Sequence, residues 1–162
     1  MNTEQEIVRL IEANKEKYYR VAYTYVKNKE DALDIVHDAI VKALQKMDSL
    51  HKREYLATWF YRILINESIS YIRKNRKVVY LDELDDAQLP ATEGIDREQY
   101  MTLYSAIDDL SPELKTILIL RFFEDMKLDE IAEITSLRLS TVKARLYKAL
   151  KLLKIDMEGD KL

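Results

Sequence analysis

The chain has 162 residues, 48% hydrophobic, with 2 Gly, 2 Pro, no Cys and a formal net charge of −3. That length holds one domain or two small ones with ordinary cores. The scarcity of Gly and Pro points to helix almost throughout, and the lack of Cys excludes a disulfide framework and any thiolate metal site.

The charge is unevenly placed. Residues 1 to 80 carry 15 basic and 11 acidic side chains, residues 81 to 98 carry 1 and 7, and residues 99 to 162 carry 10 and 11. The acid is therefore concentrated in the middle, and the net charge is a poor guide to the local field. Met1-Asn2-Thr3-Glu4-Gln5-Glu6 has neither the basic start nor the apolar run of a signal peptide, and the apolar run Ile117 to Leu120 stops at Arg121. A cytoplasmic protein with no membrane insertion is the expectation.

Thr3 and Glu6 have the spacing of a capping box, and Ile7, Leu10, Ile11, Tyr18, Val21, Ala22 and Tyr25 keep a helical stripe to about Lys27. Asn28 and Asp31 are candidate caps of a second helix with Ala32, Val36, Ala39, Ile40 and Ala43 inward. Its opposite face holds Asp31, Asp34, Asp38, Val41 and Gln45, with His37 beside them. After a break from Lys46 to Arg53, a third helix is expected from about Glu54 to Lys74, with Leu56, Trp59, Phe60, Ile63 and Leu64 as its apolar residues. Trp59, Phe60 and the tyrosines are read as core, not as stacking platforms. Arg62, Asn66, Ser70, Arg73 and Lys77 fall on one line at spacings of three or four.

From Val78 to Glu98 periodicity is lost and Asp and Glu accumulate, which marks a linker. Three segments follow: 1–78, an acidic linker 79–97, and 98–162. A helix resumes through Tyr100, Leu103, Tyr104, Ile107 and Leu110, and Ser111-Pro112-Glu113 supplies an N-cap, a first-turn proline and an early acid for the next. The chain turns at Asp125-Met126-Lys127 into a short helix, a tight turn and a longer helix with Val142, Leu146, Ala149, Leu150 and Leu153 on one stripe. From Arg138 to Lys154 the charged residues are Arg138, Lys143, Arg145, Lys148, Lys151 and Lys154, without an acid. A short helix bracing a second one with a cationic outer face is the arrangement of a helix-turn-helix in a major groove. The fold class is thus all-α: two small helical domains joined by an acidic linker, the second containing a helix-turn-helix.

No Gly-rich phosphate loop and no nucleophile with an oriented base is present, so no catalytic site, cofactor or enzyme activity is expected. His37-Asp38 has the form of a metal dyad, but His51 is the other histidine and lies in a loop, so no metal site is assigned. Two readings are open on these residues alone: an autonomous dimeric helix-turn-helix regulator, which leaves the N-terminal half unexplained, and a helical adaptor using its basic helix on an acidic protein surface.

Tyr25-Val26, Asp31-Ala32, Asp34-Ile35-Val36-His37-Asp38-Ala39-Ile40, Thr58-Trp59-Phe60-Tyr61-Arg62-Ile63-Leu64-Ile65-Asn66, Leu110-Ser111-Pro112-Glu113, Glu130-Ile131-Ala132-Glu133 and Thr141-Val142-Lys143-Ala144-Arg145-Leu146-Tyr147-Lys148-Ala149-Leu150 occur in that order. This resembles an extracytoplasmic-function sigma factor of bacterial RNA polymerase over nearly the whole chain. The resemblance implies a factor that binds core polymerase and directs promoter recognition, melting and initiation, commonly in a stress response. Its first domain would bind the clamp helices through Asp31, Asp34, His37, Asp38 and Val41, and would capture the melted minus-10 element with Arg62, Asn66, Ser70, Arg73 and Lys77. In the family the loop between helices two and three forms the pocket for a flipped base, here Lys46 to Arg53 with Leu50 in its wall.

The second domain would dock on the polymerase flap and read the minus-35 element. Lys143, Ala144, Tyr147 and Lys148 match the family's base-reading positions, Thr141 and Arg145 suit phosphate, and Arg138 and Ser140 lie at the start of the helix. An anti-sigma factor, soluble or membrane-anchored, is the further partner implied. Ser136 replaces the Gly usual in the turn and Arg138 the usual Ser cap, which leaves the cap open between Arg138 and Ser140.

Overall fold

The computed structural model describes residues 2–75, 82 and 107–156, with side chains to Leu153. Among them every regular element is a helix, and the chain divides into two compact units, Met1–Arg76 and Lys77–Leu162. The expected helix through Tyr100, Leu103 and Tyr104 lies outside the described residues, as does the expected linker except for Asp82.

The first unit is three helices, α1 (Thr3–Val26), α2 (Lys29–Gln45) and α3 (Leu56–Lys74), each packed on the other two. α1 begins one residue before the expected box. Asn2 Oδ1 accepts from the Gln5 N–H at 2.8 Å and Gln5 Oε1 from the Asn2 N–H at 3.1 Å, so Asn2 and Gln5 form the reciprocal cap and Thr3 is the first helical residue. α1 ends where Lys27 takes φ 55°, and Asn28 then caps α2 by accepting the Asp31 N–H at 3.0 Å. Asp31 is therefore not a cap.

The core of this unit is where the three apolar stripes meet. Phe60 is fully buried, with its ring centroid 4.8 Å from that of Tyr18, and Tyr61 meets Tyr18 edge-on at 5.9 Å. Burying one such Phe contributes about 2 to 3 kcal/mol. Leu10, Ile40 and Ile63, expected in the core, are only half-buried, while Ile35 is buried in α2. Of the aromatic residues read as core, Tyr19, Trp59 and Tyr71 are also half-buried, and Tyr23 and Tyr55 are exposed.

In the second unit Ser111 Oγ accepts from the Leu114 N–H and Pro112 opens α4 (Pro112–Leu118), as the sequence signal predicts. α4 runs on into a π turn, Ile119–Phe123, closed by the Glu124 N–H on the Ile119 carbonyl at 3.1 Å. Asp125 at φ 51° reverses the chain, and Arg121 Nη1 donates to the Met126 carbonyl across the turn. α5 (Leu128–Thr135) and α6 (Leu139–Asp156) follow. Ile107, Leu110, Ile117, Leu118, Leu120, Ile131, Val142 and Leu153 are all but inaccessible and form this unit's core. Among the described residues no helix is long and apolar enough to cross a membrane.

Candidate nucleic-acid interface

The turn between α5 and α6 explains how a chain without Gly there makes a helix-turn-helix. Ser136 adopts φ 58°, the Leu137 N–H bonds the Ala132 carbonyl at 3.0 Å, and the Ser136 N–H bonds the Glu133 carbonyl at 3.3 Å. This is the Schellman pattern with Ser at the left-handed position, at a cost of about 1 kcal/mol relative to Gly. At the other end of α5 the Glu130 carboxylate accepts from the Lys127 N–H at 3.2 Å.

α6 begins at Leu139, and its first bond runs from the Val142 N–H to the Arg138 carbonyl at 3.0 Å. Arg138 is thus the cap residue and Ser140 lies inside the first turn. Of the two cap positions left open by the sequence, Arg138 is the one the chain uses. Val142, Leu146, Ala149, Leu152 and Leu153 are buried; Leu152 was not on the expected stripe, and Leu150 is half-buried.

Arg138, Ser140, Lys143, Ala144, Tyr147 and Lys148 are exposed, whereas Thr141 and Arg145 are half-buried at the flank. Tyr147 is 63% exposed, so this tyrosine is surface and not core. The outward face is a helical strip of about three turns bearing cations, a small residue and an aromatic ring, the chemistry of base-edge and phosphate contact. Lys148 Nζ donates to the Asp82 carbonyl at 3.5 Å, and Asp82 Oδ1 accepts the Ser111 N–H at 2.7 Å. Asp82 thus packs within the second unit.

In the first unit, Asn66 and Ser70 are exposed on α3 with Arg62 and Arg73 half-buried beside them on the same line; Lys77 lies outside the described residues. Leu50 is half-buried between two 3₁₀ turns, Met47–Ser49 and Arg53–Tyr55. On α2, Asp34, His37, Asp38 and Val41 are exposed. Asp31 differs from them. It is half-buried and accepts a hydrogen bond from the Tyr71 hydroxyl of α3, which, with desolvation and the charges of Asp31 and Asp34, holds the Tyr71 hydroxyl above the ordinary tyrosine range.

Leu33 is 51% exposed one turn before His37 and two before Val41, a residue passed over by the sequence reading. Its signal was an apolar residue off the buried stripe. Among the described residues no group of three or more His, Cys, Asp or Glu is placed to hold a metal ion.

Residues 10–78 match the sigma-70 region 2 family model and residues 100–153 the sigma-70 region 4 model. The chain is 42% identical over 160 residues to the RNA polymerase sigma factor SigV of Bacillus subtilis (strain 168), spanning 99% of this chain and 96% of that protein. It is 28% identical over 153 residues to the ECF RNA polymerase sigma factor SigW of the same strain, spanning 86% and 82%. Among solved structures, the sigma factor RpoE in complex with the anti-sigma factor NepR from Bartonella quintana matches with a TM-score of 0.68 at 25% identity, over 94% of this chain and 97% of that one. With regions 2 and 4 in order along one chain and a relative of 42% identity spanning almost all of it, the protein belongs to the extracytoplasmic-function sigma factors of the sigma-70 family.

Proposed function

We propose that this sigma factor divides its work by segment. Residues 1–78 bind core polymerase through Leu33, Asp34, His37, Asp38 and Val41 of α2. They hold the melted minus-10 strand along Arg62, Asn66, Ser70, Arg73 and Lys77, with Leu50 in the wall of a pocket for a flipped base. Residues 98–162 dock on the flap and read the minus-35 element with Lys143, Ala144, Tyr147 and Lys148, while Arg138, Ser140, Thr141 and Arg145 anchor to phosphate. Residues 79–97 join the two. Catalysis belongs to the polymerase, and the factor works in the cytoplasm.

The observation that carries this reading is the pairing in one chain of an exposed acidic face on α2 with an exposed face on α6 whose charges are all basic. An acidic face repels DNA and suits a basic protein surface, so the two faces require two different partners. RpoE of Bartonella quintana is seen with the anti-sigma factor NepR, and an inhibitor of that kind is the third partner proposed here.

Core polymerase, the purified chain and a promoter-bearing template, together and with each omitted, provide the test. Specific transcripts should appear when all three are present, and the chain should co-purify with core. A chain that binds duplex operators tightly alone, and leaves core polymerase non-specific, would establish the autonomous regulator instead.

A further inference from the structure

Because Asn2 and Gln5 cap α1, Thr3 and Glu6 are released from the role their spacing suggests. Both turn to a residue far along the chain. Arg53 Nη2 donates to Thr3 Oγ1 at 3.3 Å, and Arg53 Nε lies 3.4 Å from Glu6 Oε2. Thr3 and Glu6 are three residues apart and so neighbours on the helix surface. One planar guanidinium therefore reaches both through two different nitrogens, which a single ammonium does not reproduce.

Arg53 opens the 3₁₀ turn that leads from the Leu50 loop into α3. Within the loop, the Leu50 N–H bonds the Met47 carbonyl, Ser49 Oγ bonds the Lys46 carbonyl, and the Tyr55 N–H bonds the Lys52 carbonyl. These bonds shape the loop locally, and none of them fixes it against the rest of the unit. The contacts of Arg53 with α1 do so, at the point where the loop meets the helix bearing the minus-10 line.

We propose that Thr3, Glu6 and Arg53 form a latch that holds the 46–55 loop in one register against α1, so that Arg53 is a positioning residue for minus-10 specificity. This rests on the reading of that loop as the flipped-base pocket. Side-chain exposures of 52% for Arg53 and 29% for Glu6 make the latch a modest one that tunes discrimination without supporting the fold.

The experiment uses assembled holoenzyme and promoters that differ only in the minus-10 bases, with open-complex formation as readout. Arg53→Ala and Glu6→Ala should each narrow the ratio between the preferred base and its competitors by roughly 2- to 5-fold, the factor carried by a partly exposed ion pair. The double variant should lose no more than either single one, and Arg53→Lys should fall between. Core affinity and the melting temperature should stay at wild-type values.

A uniform loss on every promoter for Arg53→Ala, with Glu6→Ala silent, would make Arg53 a phosphate contact and overturn the latch. Leu50→Ala separates the two levels of the argument. If it alters base discrimination while Glu6→Ala does not, the latch alone is wrong; if it alters nothing, the pocket reading falls and takes the latch with it.

Discussion

The outward faces of α2 and α6 are both exposed and charged, yet helix electrostatics accounts for them differently. A helix N-terminus favours acids and a C-terminus favours bases, by about 0.3 to 1 kcal/mol each. In α2 the acids Glu30 and Asp31 occupy the first turn, and Asp31 also takes a hydrogen bond from Tyr71, so both have structural reasons to be there. Asp34 and Asp38 lie further along, beyond the dipole's reach. In α6 the cation nearest the start, Arg138, stands at the cap, where a positive charge is unfavourable. Charges that the helix itself does not favour are the ones whose presence calls for a partner.

The sharpest way to break this comparison is to reverse Asp34 and Asp38 together to Arg. Facing a basic partner, two reversed charges should weaken core-polymerase binding by roughly 100-fold, since like charges across an interface cost several kcal/mol. The free chain should melt within about 0.5 kcal/mol of wild type, as exposed substitutions do. A titration of labelled core with the variant measures the first and circular dichroism the second; unchanged holoenzyme assembly would reduce the α2 face to solvated surface.

On α6 the exposed and flanking cations should separate. Lys143→Ala should cost about 1 to 3 kcal/mol on the preferred minus-35 sequence and little on others. Arg145→Ala, half-buried at the flank, should weaken every sequence alike and lower the salt slope by about 1. Binding of both holoenzymes to a minus-35 library at two salt concentrations checks this. An equal loss on all sequences for Lys143→Ala would show that the base-reading face is turned elsewhere.

The smallest effect bears on Arg138. Asp at this cap would accept an amide of the first turn and favour the helix N-terminus, so Arg138→Asp should stabilise the second unit by about 1 kcal/mol. The same change should weaken DNA binding if Arg138 faces phosphate as proposed, because a cation there becomes an anion. Thermal melts and salt-dependent binding test the two halves; a variant no more stable than wild type would remove the argument from the dipole.

Much was legible in the sequence because it depends on local rules. The Ser111-Pro112 start, the turn at Asp125 to Lys127, the helix-turn-helix and the outward setting of Lys143, Ala144 and Lys148 follow from capping chemistry and a 3.6-residue period. Tertiary structure decided what periodicity leaves open. A period says which residues share a face, but not which of two adjoining apolar stripes the neighbouring helices will cover. Packing of α1 and α3 against α2 buried Ile35 and left Ile40 half-exposed, and the same docking left Trp59 and Ile63 at the margin. The cap at Asn2 competed with an equally plausible one a residue later. Left-handed Ser136 and the π turn after Leu118 are backbone conformations that no local sequence signal announces. The contacts of Arg53 with Thr3 and Glu6 join positions 50 and 47 apart in sequence, which no local pattern encodes and only the folded chain brings together.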